Sequence, residues 1–286
     1  MPLATTDAAA WPQPRRTLLL IGGAEVKLGQ AVLLRRFLRL AGGRSARIAL
    51  VPTASSQPQE SAARYRDVFT RLRRGVEIDV VHAPTRAAAH DHGLVARLDA
   101  STGVFLSGGD QLRLAAAVVD TPVGAAIRRA YERGVVVAGS SAGASIVSRH
   151  MISLGQEAVT ARRGTSQLTA GLGLLERVVV DQHFEQRGRH GRLLAVVATS
   201  PSLLGLGIDE DTAAEIGDEQ TLTVLGSGAV FVVDARGAVT GIPDERPGAP
   251  LLVSGAVVHS LPPGTVFDLA QVGLWRPADH ELAPGG

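Results

Sequence analysis

A serine set between two glycines, Gly139-Ser140-Ser141-Ala142-Gly143, is the pattern in this chain best suited to covalent chemistry. It follows the apolar run Val135-Val136-Val137-Ala138 and precedes Ala144-Ser145-Ile146-Val147, which can turn helical. A Gly-x-Ser-x-Gly between strand and helix holds a serine hydroxyl on a sharp, strained turn. Glycine flanks allow the backbone to pass close to its neighbours. The helix that follows turns its free N–H groups and positive dipole end toward the serine, where negative charge develops in acyl transfer. The pattern predicts Ser141 as a hydrolase nucleophile. The competing reading is an ordinary tight strand-to-helix turn, because Gly, Ser and Ala crowd such turns.

A serine nucleophile needs a base within hydrogen-bond reach, and the base needs an orienting acceptor. The histidines after Ser141 are His150, His183, His190, His259 and His280. His183 stands in Asp181-Gln182-His183-Phe184, directly after the strand-like run Val178-Val179-Val180. The C-terminal ends of parallel strands share one rim, where ligands collect, which would bring His183 to Ser141. His190 reads as solvated in an Arg/Gly-rich turn or helix start, and His280 belongs to a Pro-rich tail. The acid comes from Gly207-Ile208-Asp209-Glu210-Asp211-Thr212, again directly after an apolar run. Three carboxylates in succession are ordinarily a solvated turn; here any of them could accept the imidazole N–H. The order Ser, His, acid differs from the Ser, acid, His order of the α/β-hydrolases. Backbone donors for an oxyanion hole are Ala142, next after the serine, and Gly108 and Gly109 in Ser107-Gly108-Gly109-Asp110-Gln111. Gln111 would project into the same cleft.

The elements that must position these residues follow from hydropathy. Strand-like runs at residues 17–21, 46–51, 76–81, 103–106 and 135–138 alternate with helical stretches at 28–40, 60–74, 87–98 and 111–131. The last helix breaks at Thr121-Pro122, an N-cap followed by proline at the first helical position. Continuous apolar strands separated by amphipathic helices predict an α/β fold with a parallel sheet covered on both faces. Residues 150–175 read as loop with a short helix, 191–199 as helix, and 204–208 as strand. Val-rich, Gly-punctuated runs over 213–269 predict antiparallel strands extending one sheet edge. Residues 1–14 read as a flexible tail and 15–286 as a single catalytic domain.

Composition narrows the function. Cysteine is absent from the 286 residues, which excludes thiol nucleophiles, disulfides and thiolate metal sites. Aromatic content of 3% leaves few stacking platforms for single-stranded nucleic acid. Formal net charge is only +2, and Lys27 is the sole lysine among 29 basic residues. No secretory signal or apolar run of membrane-spanning length is visible. The expectation is a cytoplasmic protein with no nucleic-acid or membrane partner.

Six motifs, in order, resemble those of the cyanophycinases: Gly22-Gly23-Ala24-Glu25, Val51-Pro52-Thr53-Ala54-Ser55, Gly108-Gly109-Asp110-Gln111, residues 139–144, Asp181-Gln182-His183-Phe184 and residues 207–212. The resemblance spans roughly residues 17–215. It implies a three-layer sandwich similar to the class I glutamine amidotransferase domain, with an antiparallel C-terminal extension. Those amidotransferases carry cysteine at the elbow, so this chain resembles the serine branch, related to peptidase E. Cyanophycinases cleave cyanophycin, a poly-aspartate with arginine on each β-carboxyl, to β-Asp-Arg dipeptides. The resemblance implies Ser141 as nucleophile, His183 as base and then acid, and Glu210 as orienter in preference to Asp209 and Asp211. It also implies an acyl-enzyme, no metal or other cofactor, and a homodimer. Substrate contacts are expected from Gln111, Asp181, Gln182, Arg187, Arg189 and Arg192: carboxylate and amide oxygens suit a guanidinium, and arginines grip carboxylates. Arg113 is a weaker candidate. Ser140 replaces a threonine common in the family, and Val26 interrupts the first Gly-rich motif. A peptidase E-like aspartyl dipeptidase and a catalytically inactive binding protein on the same scaffold are the alternatives.

Overall fold

The β1 strand (Leu18–Ile21) shows how this chain builds its core: all four residues are fully buried, and their side chains alternate between two hydrophobic clusters. Leu18 and Leu20 join one cluster, Leu19 and Ile21 the other, so the strand is apolar on both faces. The computed structural model describes residues 16–157, 159–241, 246 and 248–275; the 1–14 tail and His280 lie outside them.

The chain continues through α1 (Val32–Leu40), β2 (Arg47–Val51), α2 (Pro58–Leu72), β3 (Glu77–Val80), α3 (His92–Asp99), β4 (Gly103–Leu106), α4 (Gln111–Val118), α5 (Pro122–Glu132) and β5 (Val136–Ser140). Strands β1, β5, β4, β2 and β3 lie side by side and parallel. The α1 and α2 helices cover one face, where Phe37, Tyr65, Phe69 and Phe105 pack with ring centroids 4.8–5.8 Å apart. The α3, α4 and α5 helices cover the other face through Leu98, Leu114, Val118 and Ile127. Capping fixes where the helices begin: Thr121 accepts from the Gly124 N–H with Pro122 in the first turn, and Asp110 accepts from the Arg113 N–H at 2.8 Å. The α1 helix starts later than expected, at Val32, and the stretch at 87–98 is split between a short 3-10 turn at Ala88–His90 and α3.

After α6 (Ala142–Ser145) come β6 (His150–Gly155), β7 (Ser166–Ala170), β8 (Val178–Gln182), α7 (His190–Thr199) and β9 (Leu204–Ile208). The last strands are β10 (Thr212–Ile216), β11 (Thr221–Gly226), β12 (Val230–Asp234), β13 (Val239–Thr240), β14 (Val253–Ser254), β15 (Val257–Leu261), β16 (Val266–Asp268) and β17 (Gly273–Leu274). Two features differ from the sequence expectation. Residues 150–175 form the β6–β7 hairpin rather than loop and helix, with a bulge between Ile152 and Leu154 that interrupts the alternation. The C-terminal strands also divide between two sheets. Strands β10, β11, β16 and β17 extend the edge of the main sheet beside β1, antiparallel, while β12 and β15 join β8 and β9 in a separate four-stranded sheet. The strands leading to His183 and Glu210 are parallel to each other but belong to this second sheet, not to that of Ser141. Val178, Val180 and Leu206 pack it onto the α3–α5 side of the main sheet, and α7 covers its outer face through Leu193 and Val197. No helix among the described residues is long and apolar enough to cross a membrane.

Candidate active site

Ser141 sits where β5 ends and α6 begins, with φ 54 and ψ −114. A side chain in this region of backbone space costs about 1–3 kcal/mol and persists only where the surroundings enforce it. Two close approaches enforce it here. A methyl group at Gly139 would lie 2.0 Å from the Gly143 carbonyl oxygen, and one at Gly143 would lie 2.1 Å from the Leu106 carbonyl oxygen. The Ser141 N–H donates to Ile21 O at 2.9 Å, which pins the turn to β1.

The second sheet delivers its histidine through backbone stitching to the end of β1. The His183 N–H donates to Gly22 O at 2.8 Å, and the Asp211 N–H donates to Gly23 O at 2.9 Å. Residues from two sheets thereby converge at one point. Ser141 Oγ lies 2.9 Å from His183 Nε2, and His183 Nδ1 lies 2.6 Å from Glu210 Oε1. The Glu210 N–H is held by the Gln186 side-chain oxygen at 2.9 Å. Its neighbours are occupied elsewhere: Asp209 accepts from the N–H groups of Glu185 and Ala229, and Asp211 from the Val26 N–H and the Ser227 hydroxyl. Val26 holds this loop through its backbone N–H and is 46% exposed, so the hydrogen bond does not depend on a polar side chain there.

Burial pushes the His183 imidazole below its ordinary value; the hydrogen bond and charge of Glu210 oppose this, and the positive charges of Arg187 and Arg189 add to it. The ring is therefore neutral at neutral pH, with Nδ1–H donating to Glu210 and Nε2 free to accept the Ser141 hydroxyl proton. Ala142 is the first residue of α6, so its N–H has no acceptor within that helix. Gly108 approaches from the turn after β4, and a methyl group there would lie 3.1 Å from Ser141 Cβ. Gly109, at φ 146, is required because a methyl group would meet the Ala54 carbonyl oxygen at 2.1 Å.

A cleft of about 430 Å³ opens onto these groups and is lined also by Gln111, Gln182, Arg187 and Arg189. Gln111 donates its side-chain N–H to Ile152 O at 2.6 Å, which leaves its carbonyl oxygen for the cleft. Arg189 bonds Gln182 and Glu157, and its Nε has no partner among the described residues. Two of the residues expected to touch substrate do not line this cleft. Asp181 is fully buried and receives Arg192 through two hydrogen bonds, one of them 2.6 Å from Nε, and Arg189 through another at 3.3 Å. Arg192 is 3% exposed and donates also to Gly155 O. The pair ties β8 to α7 and β6, because a carboxylate with no exposure requires a bidentate cation within the protein. Arg113 is outside the lining and donates to Ser55 O. His190 is packed rather than solvated: its ring stands 4.5 Å from that of Phe184 and 5.4 Å from that of Phe231.

A group of residues that sequence reasoning missed lies beside the serine. Glu25 is 3% exposed and accepts from the Ser140 hydroxyl at 2.6 Å, from Tyr65 Oη at 2.5 Å and from Lys27 Nζ at 2.8 Å. Lys27 follows two residues after Glu25, but Ser140 and Tyr65 come from β5 and α2, so spacing along the chain carried no signal of those two. Burial alone would raise its pKa, but the Lys27 charge and the bonds from Lys27, Ser140 and Tyr65 hold it below the ordinary value.

A mostly parallel sheet between helices, with a serine on a strained elbow hydrogen-bonded through histidine to a carboxylate, is the arrangement of a serine hydrolase. The family model for peptidase family S51 matches residues 18–224, and the chain belongs to that family. It is 40% identical over 276 residues to the cyanophycinase of Nostoc sp. (strain PCC 7120), covering 95% of this chain and 92% of that one. It is 38% identical to the cyanophycinase of Synechococcus elongatus over 255 residues, covering 88% and 79%. The crystal structure of a peptidase from an acI-B1 actinobacterium shares the fold at TM-score 0.60 and 23% identity, covering 86% of this chain and 97% of that one.

Proposed function

We propose that this peptidase hydrolyses cyanophycin to β-Asp-Arg dipeptides through an acyl-enzyme, with Ser141 as nucleophile, His183 as base and Glu210 as orienter. The observation that carries the reading is the hydrogen-bonded chain from Ser141 Oγ through both nitrogens of His183 to Glu210, with spacings of 2.9 and 2.6 Å. In the first half-reaction Ser141 Oγ attacks the scissile carbonyl carbon while its proton passes to His183 Nε2. Glu210 stabilises the imidazolium that forms. The N–H groups of Ala142 and of Gly108 or Gly109 receive the oxyanion. His183 then protonates the leaving amine as the C–N bond breaks. Water, deprotonated by the same nitrogen, releases the acyl group and restores the serine.

The substrate reading rests on two supports. The two curated relatives compared above are cyanophycinases, covered over 92% and 79% of their lengths. The cleft also carries cations, Arg187 and Arg189, beside amide oxygens of Gln111 and Gln182, which matches a polymer that presents carboxylates and guanidinium groups together. Asp181 serves this site by accepting from Arg189 and from the Gln182 N–H, and Arg192 holds Asp181. The test is digestion of purified cyanophycin with the products read by mass spectrometry, alongside turnover of Asp-X dipeptides. Release of β-Asp-Arg, faster than any dipeptide cleavage, is expected; preferential cleavage of Asp-X dipeptides would overturn the polymer reading.

A further inference from the structure

The cleft is walled from both faces of the main sheet. Gln182 ends β8 of the second sheet and Arg187 and Arg189 lie between it and α7, whereas Glu25, Lys27 and Tyr65 come from the segment after β1 and from α2. On the latter side the only lysine of the chain is built into place. Its Nζ donates to Glu25 Oε1 at 2.8 Å and to Glu25 O at 3.3 Å, and it stands 5.2 Å from the centre of the Tyr65 ring. The Lys27 main-chain oxygen is held by Arg71 at 2.9 Å. The side chain is 26% exposed, and that exposure faces the cleft it lines with Ser141 and His183. An ammonium has three donors, and Glu25 takes two. Glu25 also accepts from Ser140 and Tyr65, and the Lys27 charge offsets the cost of burying its carboxylate.

We propose that Lys27 is a substrate-binding residue: its remaining N–H takes a carboxylate of the substrate, so that the chain being cleaved is gripped by cations from both faces of the sheet. The inference rests on the reading of the substrate as an aspartyl-arginine polymer. Glu25 fixes the ammonium against the strand that carries the serine, so a carboxylate bound at Lys27 is registered relative to Ser141. Tyr65, with its ring under the cation, limits where the ammonium can swing. A fixed point charge of this kind costs less ordering on binding than a free surface lysine would.

Lys27 being the sole lysine gives a direct test. The wild-type enzyme is treated with an amine-acetylating reagent, and in parallel with a serine-directed fluorophosphonate, each with and without β-Asp-Arg or its carboxamide. Modification at Lys27 and at Ser141 is read by peptide mass. The dipeptide is expected to slow both modifications, with the carboxamide protecting Lys27 at least about tenfold less well, the worth of one charge-assisted bond. Protection of Ser141 with none at Lys27, or equal protection by acid and carboxamide, overturns the role of Lys27 and leaves the substrate reading standing. Protection of neither overturns both. Kinetics supply the second readout. K27M is expected to raise KM at least about tenfold with kcat changed less than about threefold, and K27R to fall between. The double variant E25Q/K27M, which leaves no orphaned carboxylate, must show the same KM; an equal fall in kcat for K27M that the double variant repairs assigns Lys27 to Glu25 alone and contradicts the proposal.

Discussion

Gly23 and His183 occupy one space: a methyl group at Gly23 would lie 2.3 Å from His183 Cε1 and 2.4 Å from Nε2, the nitrogen that meets Ser141. The first Gly-rich turn therefore fixes where the imidazole of the proposed base can lie. Its φ of +103 is a second reason for glycine there. Gly23→Ala is expected to displace the imidazole and lower kcat/KM about 100-fold or more, because a displacement near 1 Å costs that much. The near-UV circular dichroism spectrum should remain native. An alanine variant of full activity would show that the ring is not held against this turn.

Glu210 differs from its neighbours in what removing it should do. Glu210→Gln is expected to lower kcat about 10³–10⁴-fold with little change in unfolding free energy, the pattern of an orienting carboxylate. Asp209→Asn disturbs the acceptor of the Glu185 and Ala229 N–H groups. It should lower stability by about 1–3 kcal/mol instead. Chemical denaturation beside steady-state kinetics separates the two, and a catalytic loss confined to the Asp209 variant would reverse the assignment.

The pH profile carries a sign. Burial holds the His183 pKa below 6.5, and the Arg187 charge pushes the same way. The proposed base acts when neutral, so kcat/KM should decline on the acid side through a midpoint below 6.5. Arg187→Ala removes one cation that disfavours imidazolium and should move that midpoint upward. A midpoint above 6.5 in the wild type, or a downward move in the variant, contradicts this electrostatic account.

Asp181 and Arg192 should report on stability rather than on substrate affinity. Arg192→Met leaves a carboxylate of no exposure without its bidentate partner. It is expected to cost about 3–5 kcal/mol in thermal unfolding. Arg187, 46% exposed and 3.5 Å from Glu157, should instead raise KM when changed to alanine while Tm barely moves. A stable Arg192→Met enzyme with a raised KM would return Arg192 to the substrate.

What was legible in the sequence was what local pattern dictates. Apolar runs ending in Gly-x-Ser-x-Gly, in Asp-Gln-His-Phe and in Asp-Glu-Asp announced three strand ends, and Thr121-Pro122 announced the start of α5. Which sheet each strand joins was not legible, because Val178–Gln182 and Leu204–Ile208 are as uniformly buried as the strands of the main sheet. The β6–β7 hairpin was missed because its bulge breaks the period of two, and β7 is half exposed. The Glu25 group was hidden by distance along the chain: Ser140 lies 115 residues from Glu25, and Tyr65 lies 40. Asp181 and Arg192, 11 residues apart, looked like two ligands for substrate because nothing local says that they bond each other.

Ser141 is the residue on which the proposed chemistry turns. Cyanophycin incubated with wild-type enzyme and with Ser141→Ala, and assayed for β-Asp-Arg by mass spectrometry, should give release that the substitution slows by at least about 10³-fold, with the same Tm and near-UV spectrum. A folded Ser141→Ala enzyme that releases the dipeptide at the wild-type rate would contradict it.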